Sequence, residues 1–377
     1  MNPREKYLSR VRRLVIKVGS AVIASEDGLS REVLDNLAAE ITRFMRQGYE
    51  IILVSSGAIT CGRKKLEIPP RPFSLAEKQA LAAAGQSSLI QAYEEVFDRY
   101  GQPVAQVLLT RADLEDRTRY LNARNTLNTL LRWKVLPIVN ENDTVAVEEI
   151  QFGDNDLLSA MVVGLAGADL LLCLSEVDAL YERDPREDPG ARRIPVVERI
   201  TPEVEAMAGK RPGRFGRGGM LSKLRAAQMV TSLGVPMLLA PGKRPLVLER
   251  LFSGEDLGTL FLPQKRVLSP RKFWIAHHRK PEGRIFLDAG AVEAICRKGK
   301  SLLPAGIKAV EGDFPRGACV ECVDEAGRPV AMGLSNYSAQ ELRCIAGLKT
   351  CDIPEVLGFH GKEEVIHRDN LVVLEKS

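Results

Sequence analysis

Short apolar runs alternate with longer amphipathic stretches through about the first two thirds of the chain. Apolar runs of roughly four to eight residues bounded by polar or glycine positions are typical of buried strands, and the stretches between them have apolar residues at helical spacing. This alternation is typical of βα units, so it predicts an α/β fold in which a mostly parallel sheet is sandwiched by helices. The predicted strands are residues 14–18, 51–54, 104–109, 135–139, 170–174 and 236–240.

The pattern changes after residue 262, where prolines and basic residues become frequent. The chain of 377 residues also exceeds the roughly 250–300 residues that one hydrophobic core usually serves. We therefore predict a first domain over residues 1–262, a basic linker over residues 263–282 and a small β-rich domain over residues 283–377. The strands predicted in the last part are residues 284–287, 319–323, 330–333 and 371–374.

The formal net charge of +4 is concentrated in the predicted linker. Residues 264–282 contain six Lys or Arg and one Glu, which gives +5, whereas residues 283–377 contain 12 basic and 14 acidic residues, which gives −2. Binding to the phosphates of a nucleic acid requires a basic face. The charge pattern therefore disfavours RNA binding by the C-terminal part and leaves the linker as the place where RNA would bind.

No segment has the length and composition of a membrane span or a signal peptide. The longest apolar stretch, residues 161–174, is interrupted by Asp169 and is shorter than the roughly 20 residues that a membrane helix needs. An odd number of cysteines, seven, argues against a disulfide framework, so we expect a cytoplasmic protein. Cys319 and Cys322 are expected to be packing residues rather than a zinc or redox pair, because residues three apart on a strand point to opposite faces.

Two common phosphate-binding loops are absent from the sequence. The Gly299-Lys300-Ser301 triplet has Ala294 in place of the first glycine of a Walker A loop, and no GxGxxG follows the first predicted strand. Neither a P-loop enzyme nor an ordinary dinucleotide-binding protein is therefore indicated.

Polar and glycine-rich clusters follow most of the predicted strands instead. In an open α/β sheet ligands bind beyond the carboxyl ends of the strands, so these clusters are expected to converge on one crevice. The clusters are Gly19-Ser20, Ser55-Ser56-Gly57, Asn140-Glu141-Asn142-Asp143 and Ser175-Glu176.

Three further features indicate phosphate chemistry at this crevice. Lys17 lies within the first predicted strand, where a cation is costly to bury unless it meets an anion; a lysine that extends to solvent from an edge strand is the alternative. Residues 213–223 are rich in glycine, lack acidic residues and precede a predicted helix, which suits a phosphate site, although a solvated loop has the same composition. Residues 153–156, Gly-Asp-Asn-Asp, open another predicted helix, where a simple N-terminal cap is the alternative.

Taken in order, seven short motifs resemble those of the amino acid kinase family, and within it the members that phosphorylate L-glutamate. The motifs span most of the first 260 residues, and the ordered set is far more specific than any single motif. The matching segments are residues 15–20, 55–59, 108–113, 140–143, 153–156, 180–181 with 184–186, and 218–220 with 222–223.

The resemblance implies transfer of the ATP γ-phosphoryl group to the side-chain carboxylate of L-glutamate, which gives L-glutamyl 5-phosphate in the first step of proline biosynthesis. A carboxylate is already ionised at neutral pH and needs no general base, which agrees with the absence of histidine from these motifs. Mg²⁺ is expected to accompany ATP, and its protein ligands stay unassigned. Two alternatives are a family member with a different carboxylate substrate and an RNA-binding protein with a nucleotide-sensing domain.

The resemblance also implies roles for individual residues. Lys17 and Lys223 would stabilise the transferring phosphoryl group, and Asp156 would orient both lysines. Asp143 suits the free α-ammonium of glutamate better than the uncharged nitrogen of N-acetylglutamate. The residues that would contact glutamate are Ser56, Asp143 and Asn155. The residues that would bind ATP are Lys17, Ser175, Glu176, Arg217, Gly218, Gly219, Met220, Leu221, Ser222 and Lys223.

Two positions depart from the family pattern. Ser175-Glu176 stands where relatives usually have Thr-Asp, which moves the carboxylate by one methylene group, and Arg217 stands where a threonine often precedes Gly-Gly-Met. The arginine adds a cation near the phosphates, so nucleotide preference and affinity stay open.

The C-terminal part resembles a PUA domain, a fold that binds RNA in other proteins. The matching segments are residues 301–307, 312–314 with 316–317, and 327–333. The resemblance of the whole chain further implies a homo-oligomer and feedback inhibition by L-proline at or near the glutamate site.

Overall fold

The computed structural model describes residues 3–25, 28–146, 155–208, 219–264, 268–278, 281–359 and 361–374. The chain divides into two compact units, Met1–Val267 and Leu268–Ser377, so the division falls within the segment predicted as a linker. That segment contains a helix, Pro270–His278, which contacts strands of the second unit. The basic segment is therefore partly helical, and its helix belongs to the second unit.

An eight-stranded sheet forms the centre of the first unit. The strands of this unit are β1 (Arg13–Val18), β2 (Ala24–Ser25), β3 (Gly28–Leu29), β4 (Glu50–Ser55), β5 (Val104–Leu109), β6 (Leu136–Glu141), β7 (Leu170–Ser175), β8 (Leu180–Tyr181), β9 (Arg193–Ile194), β10 (Val196–Val197), β11 (Met237–Pro241) and β12 (Thr259–Phe261). The sheet order is β10-β12-β11-β7-β1-β4-β6-β5. The six strands from β11 to β5 are parallel, whereas β12 is antiparallel to β11 and β10 is parallel to β12.

The mostly parallel sheet predicted from the sequence is confirmed. Each of its six predicted strands lies within two residues of the observed bounds. The two short strands β10 and β12 at one end of the sheet were not predicted, because two or three residues are too few to show an alternating pattern. Strand β1 is central and is almost completely buried, as is typical of parallel strands covered on both faces by helices.

Eleven helices belong to the described part of the first unit. They are α1 (Pro3–Leu8), α2 (Ser20–Ile23), α3 (Arg31–Arg46), α4 (Ala58–Lys65), α5 (Leu75–Asp98), α6 (Arg111–Glu115), α7 (Arg117–Arg132), α8 (Asn155–Ala166), α9 (Pro202–Ala206), α10 (Met220–Ser232) and α11 (Val247–Phe252). Capping side chains start several of them: the Ser74 hydroxyl accepts a hydrogen bond from the Glu77 N–H at the start of α5, and the Glu77 carboxylate accepts from the Ser74 N–H.

Helices α4 and α5 cross at two glycines. A Cβ atom on Gly85 would lie 1.9 Å from the Ala58 carbonyl oxygen, and one on Gly62 would lie 1.8 Å from the Leu81 carbonyl oxygen. No larger residue fits at either position without moving a backbone. Because α4 begins just beyond the carboxyl end of β4, this crossing fixes α5 relative to that end of the sheet.

The second unit contains a five-stranded sheet in the order β14-β13-β15-β16-β17, which agrees with the predicted β-rich domain. Its elements are α12 (Pro270–His278), β13 (Gly283–Leu287), α13 (Ala289–Cys296), β14 (Ile307–Glu311), β15 (Cys319–Val323), β16 (Pro329–Leu334), α14 (Ala339–Ile345), α15 (Ile353–Leu357) and β17 (Leu371–Val373), with 3-10 turns at Pro304–Gly306, Thr350–Asp352 and Arg368–Asn370. Cys319 and Cys322 are both completely buried on β15, and burial raises the pKa of the Cys322 thiol to about 12.

None of the helices that the structure describes combines the length and the apolar character needed to cross a bilayer.

Candidate functional site

Lys17 lies on the central strand of the large sheet. Its backbone pairs with Val54 of β4 on one side and with Cys173 of β7 on the other, and its side chain is 2% exposed. The alternative of a lysine on an edge strand that extends to solvent is therefore wrong. A buried ammonium group needs an anionic partner, because transfer of a charge out of water is costly.

Asp156, the second residue of α8, provides that anion and is completely buried. Its Oδ1 contacts Lys17 Nζ, and its Oδ2 lies 3.0 Å from Lys223 Nζ. The Ser222 hydroxyl donates to Oδ2 at 2.9 Å, and the Cys173 thiol lies 3.5 Å from Oδ1. We call Lys17, Asp156 and Lys223 the lysine–aspartate cluster.

Two helix N-termini meet at the lysine–aspartate cluster. Asp156 lies in the first turn of α8, and Lys223 lies in the first turn of α10, whose N-terminal cap is Gly219. The three charged groups of the cluster have a formal charge of +1, and each helix N-terminus adds partial positive charge. This arrangement suits a bound phosphate group better than a cation.

A hydrogen-bonded network of amides lies beside the cluster. Asn155, the first residue of α8, donates through Nδ2 to Asn140 Oδ1 at 2.8 Å and to the Ser55 carbonyl oxygen. Asn140 in turn donates through Nδ2 to Gln86 Oε1 at 2.8 Å. The carboxyl ends of β4 and β6 are thereby tied to the start of α8 and to α5.

Asp143 follows β6 and is half-buried. Burial raises the pKa of its carboxyl group to about 6, and no cation of the described residues offsets this effect. A carboxylate in this state would gain from an ammonium ligand, which would compensate its lost hydration. Ser56, also half-buried, follows β4.

Apart from Lys17, the described residues that are predicted to bind ATP lie at the end of β7 and at the start of α10. Ser175 is buried at the end of β7, and its carbonyl oxygen accepts a hydrogen bond from the Gly242 N–H at 2.8 Å. Glu176 is exposed and lies 3.6 Å from Lys243. Gly219, Met220 and Leu221 form the start of α10, with Leu221 on the exposed side. Arg217 and Gly218 lie outside the described residues, as do Gly153 and Asp154.

Comparison with known proteins identifies the first unit. The model of the amino acid kinase family matches residues 12–240, and that of the PUA domain matches residues 283–357. The chain belongs to the amino acid kinase family.

Curated relatives match nearly the whole length of this amino acid kinase. It is 50% identical over 375 residues, 99% of this chain and 100% of the relative, to a glutamate 5-kinase from Desulfotalea psychrophila. It is 50% identical over 372 residues, 98% of this chain and 100% of the relative, to a glutamate 5-kinase from Geobacter sulfurreducens. The resemblance to the family and to the PUA domain, inferred from short motifs, is thereby confirmed.

Four of the predicted site residues of this amino acid kinase are in direct contact: Lys17, Asp156, Ser222 and Lys223. Sequence patterns did not single out two others that shape the site, Gln86 and Tyr93 of α5. Both occur in a helical stretch whose composition is ordinary, so only their contacts distinguish them. Asn140 belonged to a recognised polar cluster, but its function as a link between Asn155 and Gln86 needed the fold.

The second unit, Leu268–Ser377, is called the PUA unit from here on, and it has a cavity of about 570 Å³. Its lining includes three basic side chains, those of Arg271, Arg316 and Lys362, and the partly exposed ring of Phe359. Arg316 forms a bidentate ion pair with Glu341 and lies 4.8 Å from the centre of the Phe359 ring. Arg316 and Lys362 belong to the segment 283–377, whose net charge is −2, whereas Arg271 comes from the basic segment before it.

Proposed function

We propose that this chain transfers the γ-phosphoryl group of ATP to the side-chain carboxylate of L-glutamate, which forms L-glutamyl 5-phosphate in the first step of proline biosynthesis. The observation that carries the proposal is the buried lysine–aspartate cluster at the carboxyl ends of the strands. The identity of 50% to relatives that are named glutamate 5-kinase supports glutamate as the acceptor, rather than another carboxylate.

The reaction requires positioning and neutralisation of charge rather than a general base, because the attacking carboxylate is already ionised. Lys17 extends from β1 and Lys223 from α10, so the two ammonium groups reach Asp156 from different elements. In the proposed mechanism Asp156 keeps both lysines in place. The lysines then stabilise the negative charge on the phosphoryl oxygens while the phosphoryl group moves from ATP to glutamate.

ATP is proposed to bind along Ser175, Glu176 and residues 217–223, with its phosphates directed to Lys17 and Lys223. Both oxygens of Asp156 already have protein partners, and the described residues contain no group of three or more His, Cys, Asp or Glu arranged to hold a metal. Mg²⁺ that is held mainly by ATP oxygens and water needs few protein ligands, so the site is compatible with MgATP. Bound there, the ion would neutralise charge on the phosphates.

Glutamate is proposed to contact Ser56, Asp143 and Asn155, which lie at the ends of β4 and β6 and at the start of α8. The α-ammonium would pair with the Asp143 carboxylate, whose burial leaves it in need of a counter-charge.

A direct assay tests this assignment. The purified full-length chain, ATP and Mg²⁺ are incubated with L-glutamate, N-acetyl-L-glutamate or L-aspartate in parallel, and acyl phosphate is trapped as a hydroxamate. We expect product from L-glutamate and much less from the other two. Preferential turnover of N-acetyl-L-glutamate, or no acyl phosphate from any of them, would contradict the proposal.

The affinity for glutamate should depend on the ionisation of Asp143. The carboxyl pKa of about 6 is raised, so the carboxylate is the main form above pH 6 and the neutral acid below it. The charges of glutamate itself change little between pH 5 and 8. The KM for glutamate is therefore expected to rise about tenfold from pH 8 to pH 5.

The matched control for this pH profile is Asp143→Asn. This variant should have a raised KM for glutamate at every pH, no rise between pH 8 and 5, and a nearly unchanged KM for ATP, because only glutamate brings an ammonium group. Equal losses for both ligands would show that Asp143 has only a structural function.

A chain that ends at Val267 is expected to fold and to phosphorylate glutamate. All proposed site residues precede this point, and the first unit has its own core. Circular dichroism and the hydroxamate assay measure the two properties. A folded truncated chain without activity at saturating ATP, Mg²⁺ and glutamate would show that the PUA unit contributes to the site.

We also propose a homo-oligomer that L-proline inhibits at or near the glutamate site, as the resemblance implies. Light scattering measures the assembly, and competition between proline and glutamate measures the inhibition. RNA binding is the alternative function: retention of RNA that falls steeply with salt concentration, together with no kinase activity, would favour it.

A further inference from the structure

Helix α5 has two side chains that contact the glutamate end of the proposed site. Gln86 and Tyr93 are seven residues apart, so they lie on the same face of the helix. Gln86 Oε1 accepts a hydrogen bond from Asn140, and the Tyr93 hydroxyl lies 2.8 Å from Ser55 Oγ. The glycine crossing of α4 and α5 keeps this face close to the ends of β4 and β6.

The orientation of the Asn140 amide follows from its neighbours. The peptide N–H of Glu141 lies 2.9 Å from one side-chain atom of Asn140, and because a peptide N–H can only donate, that atom must be Oδ1. Asn140 Nδ2 therefore points to Gln86 and needs an acceptor there. The oxygen of the Gln86 amide provides it.

The same reasoning determines the orientation of Asn155. One side-chain atom of Asn155 meets both the Ser55 carbonyl oxygen and Asn140 Oδ1, which are acceptors, so that atom is Nδ2 and both of its N–H groups are used. Among the described residues no donor bonds to Asn155 Oδ1, which makes this atom available to a ligand. Rotation of the amide by 180° would place oxygen against two acceptors in a buried position, which is unfavourable.

Tyr93 supports the neighbouring strand end by a second route. The Ser55 hydroxyl donates to the Ser56 carbonyl oxygen at 3.2 Å, and since a hydroxyl has one hydrogen, Tyr93 must be the donor to Ser55. Burial raises the pKa of the Tyr93 hydroxyl, which keeps it protonated as this requires. Both routes from α5 therefore end at residues that the proposed function places against glutamate.

We propose that Gln86 and Asn140 are positioning residues that hold Asn155 as a hydrogen-bond acceptor for the α-ammonium of glutamate. This inference rests on the proposed function. An ammonium group has three N–H donors and no acceptor, so the site needs acceptors in addition to the Asp143 carboxylate. An Asn155 amide that presents its N–H groups would repel the same ligand.

Two substitutions of Gln86 in the full-length chain test the proposal. Gln86→Met keeps the length of the side chain but removes the acceptor for Asn140 Nδ2, which weakens the hold of Asn140 on Asn155. We expect the KM for glutamate to rise about tenfold, with kcat within about threefold and the KM for ATP unchanged. Gln86→Glu keeps an oxygen acceptor for Asn140 and should restore the KM for glutamate to within about threefold of the original value.

If Gln86 had only a structural function, Gln86→Glu should raise the KM more than Gln86→Met does. A methionine side chain packs well in a half-buried position, whereas a glutamate side chain at position 86 adds a charge there. An unchanged KM in Gln86→Met, or a larger loss in Gln86→Glu than in Gln86→Met, would overturn the proposal. Glutarate, which lacks only the amino group, provides a second measurement: its inhibition constant should not change in Gln86→Met. An equal loss of glutamate and glutarate binding would also overturn it.

A double-mutant cycle of Gln86→Met and Asn140→Asp provides a test that does not depend on Gln86→Glu. Asn140→Asp retains acceptors for Glu141 and Asn155 but loses the donor to Gln86, so it removes the same hydrogen bond as Gln86→Met. Their effects on the KM for glutamate should not add, and fully additive effects would contradict the link. Failure of the unaltered chain to phosphorylate glutamate would contradict the proposed function itself. If the unaltered chain is active but substitution of Gln86 leaves the KM for glutamate unchanged, only this inference is contradicted.

Discussion

Lys223→Ala is expected to lower kcat by about 10²–10³ while the protein stays folded, because loss of one electrostatic contact to the transition state typically has an effect of this size. Lys223 is 7% exposed and directs its ammonium group to Asp156, where the phosphoryl group is proposed to pass. Asp156 would still have Lys17 and Ser222 as partners, so the fold should tolerate the change. Steady-state hydroxamate kinetics and circular dichroism measure both effects.

Lys308→Ala provides the control for Lys223→Ala. Lys308 is an exposed lysine of the PUA unit that pairs with Glu325 on the surface, so its removal should leave kcat unchanged. A Lys223→Ala variant with kcat close to that of the unaltered chain would show that Lys223 does not act on the transferring group, and the proposed mechanism would fail.

Asp156→Asn is expected to abolish activity and also to lower the free energy of unfolding by about 3–5 kcal/mol, as is typical when a buried charge loses its partner. Asp156 is completely buried between two buried lysines, and an amide cannot balance either ammonium group. Urea unfolding at pH 7, followed by circular dichroism, measures the difference from the unaltered chain.

Asp188→Asn is the matched control for this stability effect, because Asp188 pairs with Arg183 on the surface at 3.3 Å. It should change the free energy of unfolding by less than about 1 kcal/mol. The double variant Lys17→Met with Asp156→Asn should recover part of the lost stability, because it removes one uncompensated cation. If Asp156→Asn is as stable as the control, the cluster does not have the electrostatic function assigned to it.

The sequence by itself was sufficient for the main strands of the first unit. Buried parallel strands are continuous apolar runs, and a run such as residues 170–174 is visible without tertiary information because burial on both faces excludes polar residues. The change of composition after residue 262 likewise showed that a second unit follows. The sequence did not show that residues 270–278 form a helix of that unit, since the helix packs through contacts that are not local.

The residues of the lysine–aspartate cluster could also be predicted, because their type is unusual for their position or because they belong to a family motif. Lys17 stood out as a cation in an apolar strand, and Asp156 and Lys223 stood out through motifs that belong to a family. The resemblance implied that Asp156 orients both lysines, but no local pattern showed the contacts themselves. Asp156 and Lys223 are 67 residues apart, and only the packing of α8 beside α10 brings their charges together.

The amide network was decided by the tertiary structure alone. Gln86 occupies an ordinary position in an amphipathic helix. Its importance depends on the crossing of α4 and α5 at two glycines, which brings α5 against the strand ends. Hydrogen bonds have direction, and a sequence does not record which atom of an amide faces which neighbour. The chain therefore determined by local pattern which elements form and which charged groups are present, whereas the fold determined which of them meet, because long-range packing sets the distances and directions on which charge pairing and hydrogen bonding depend.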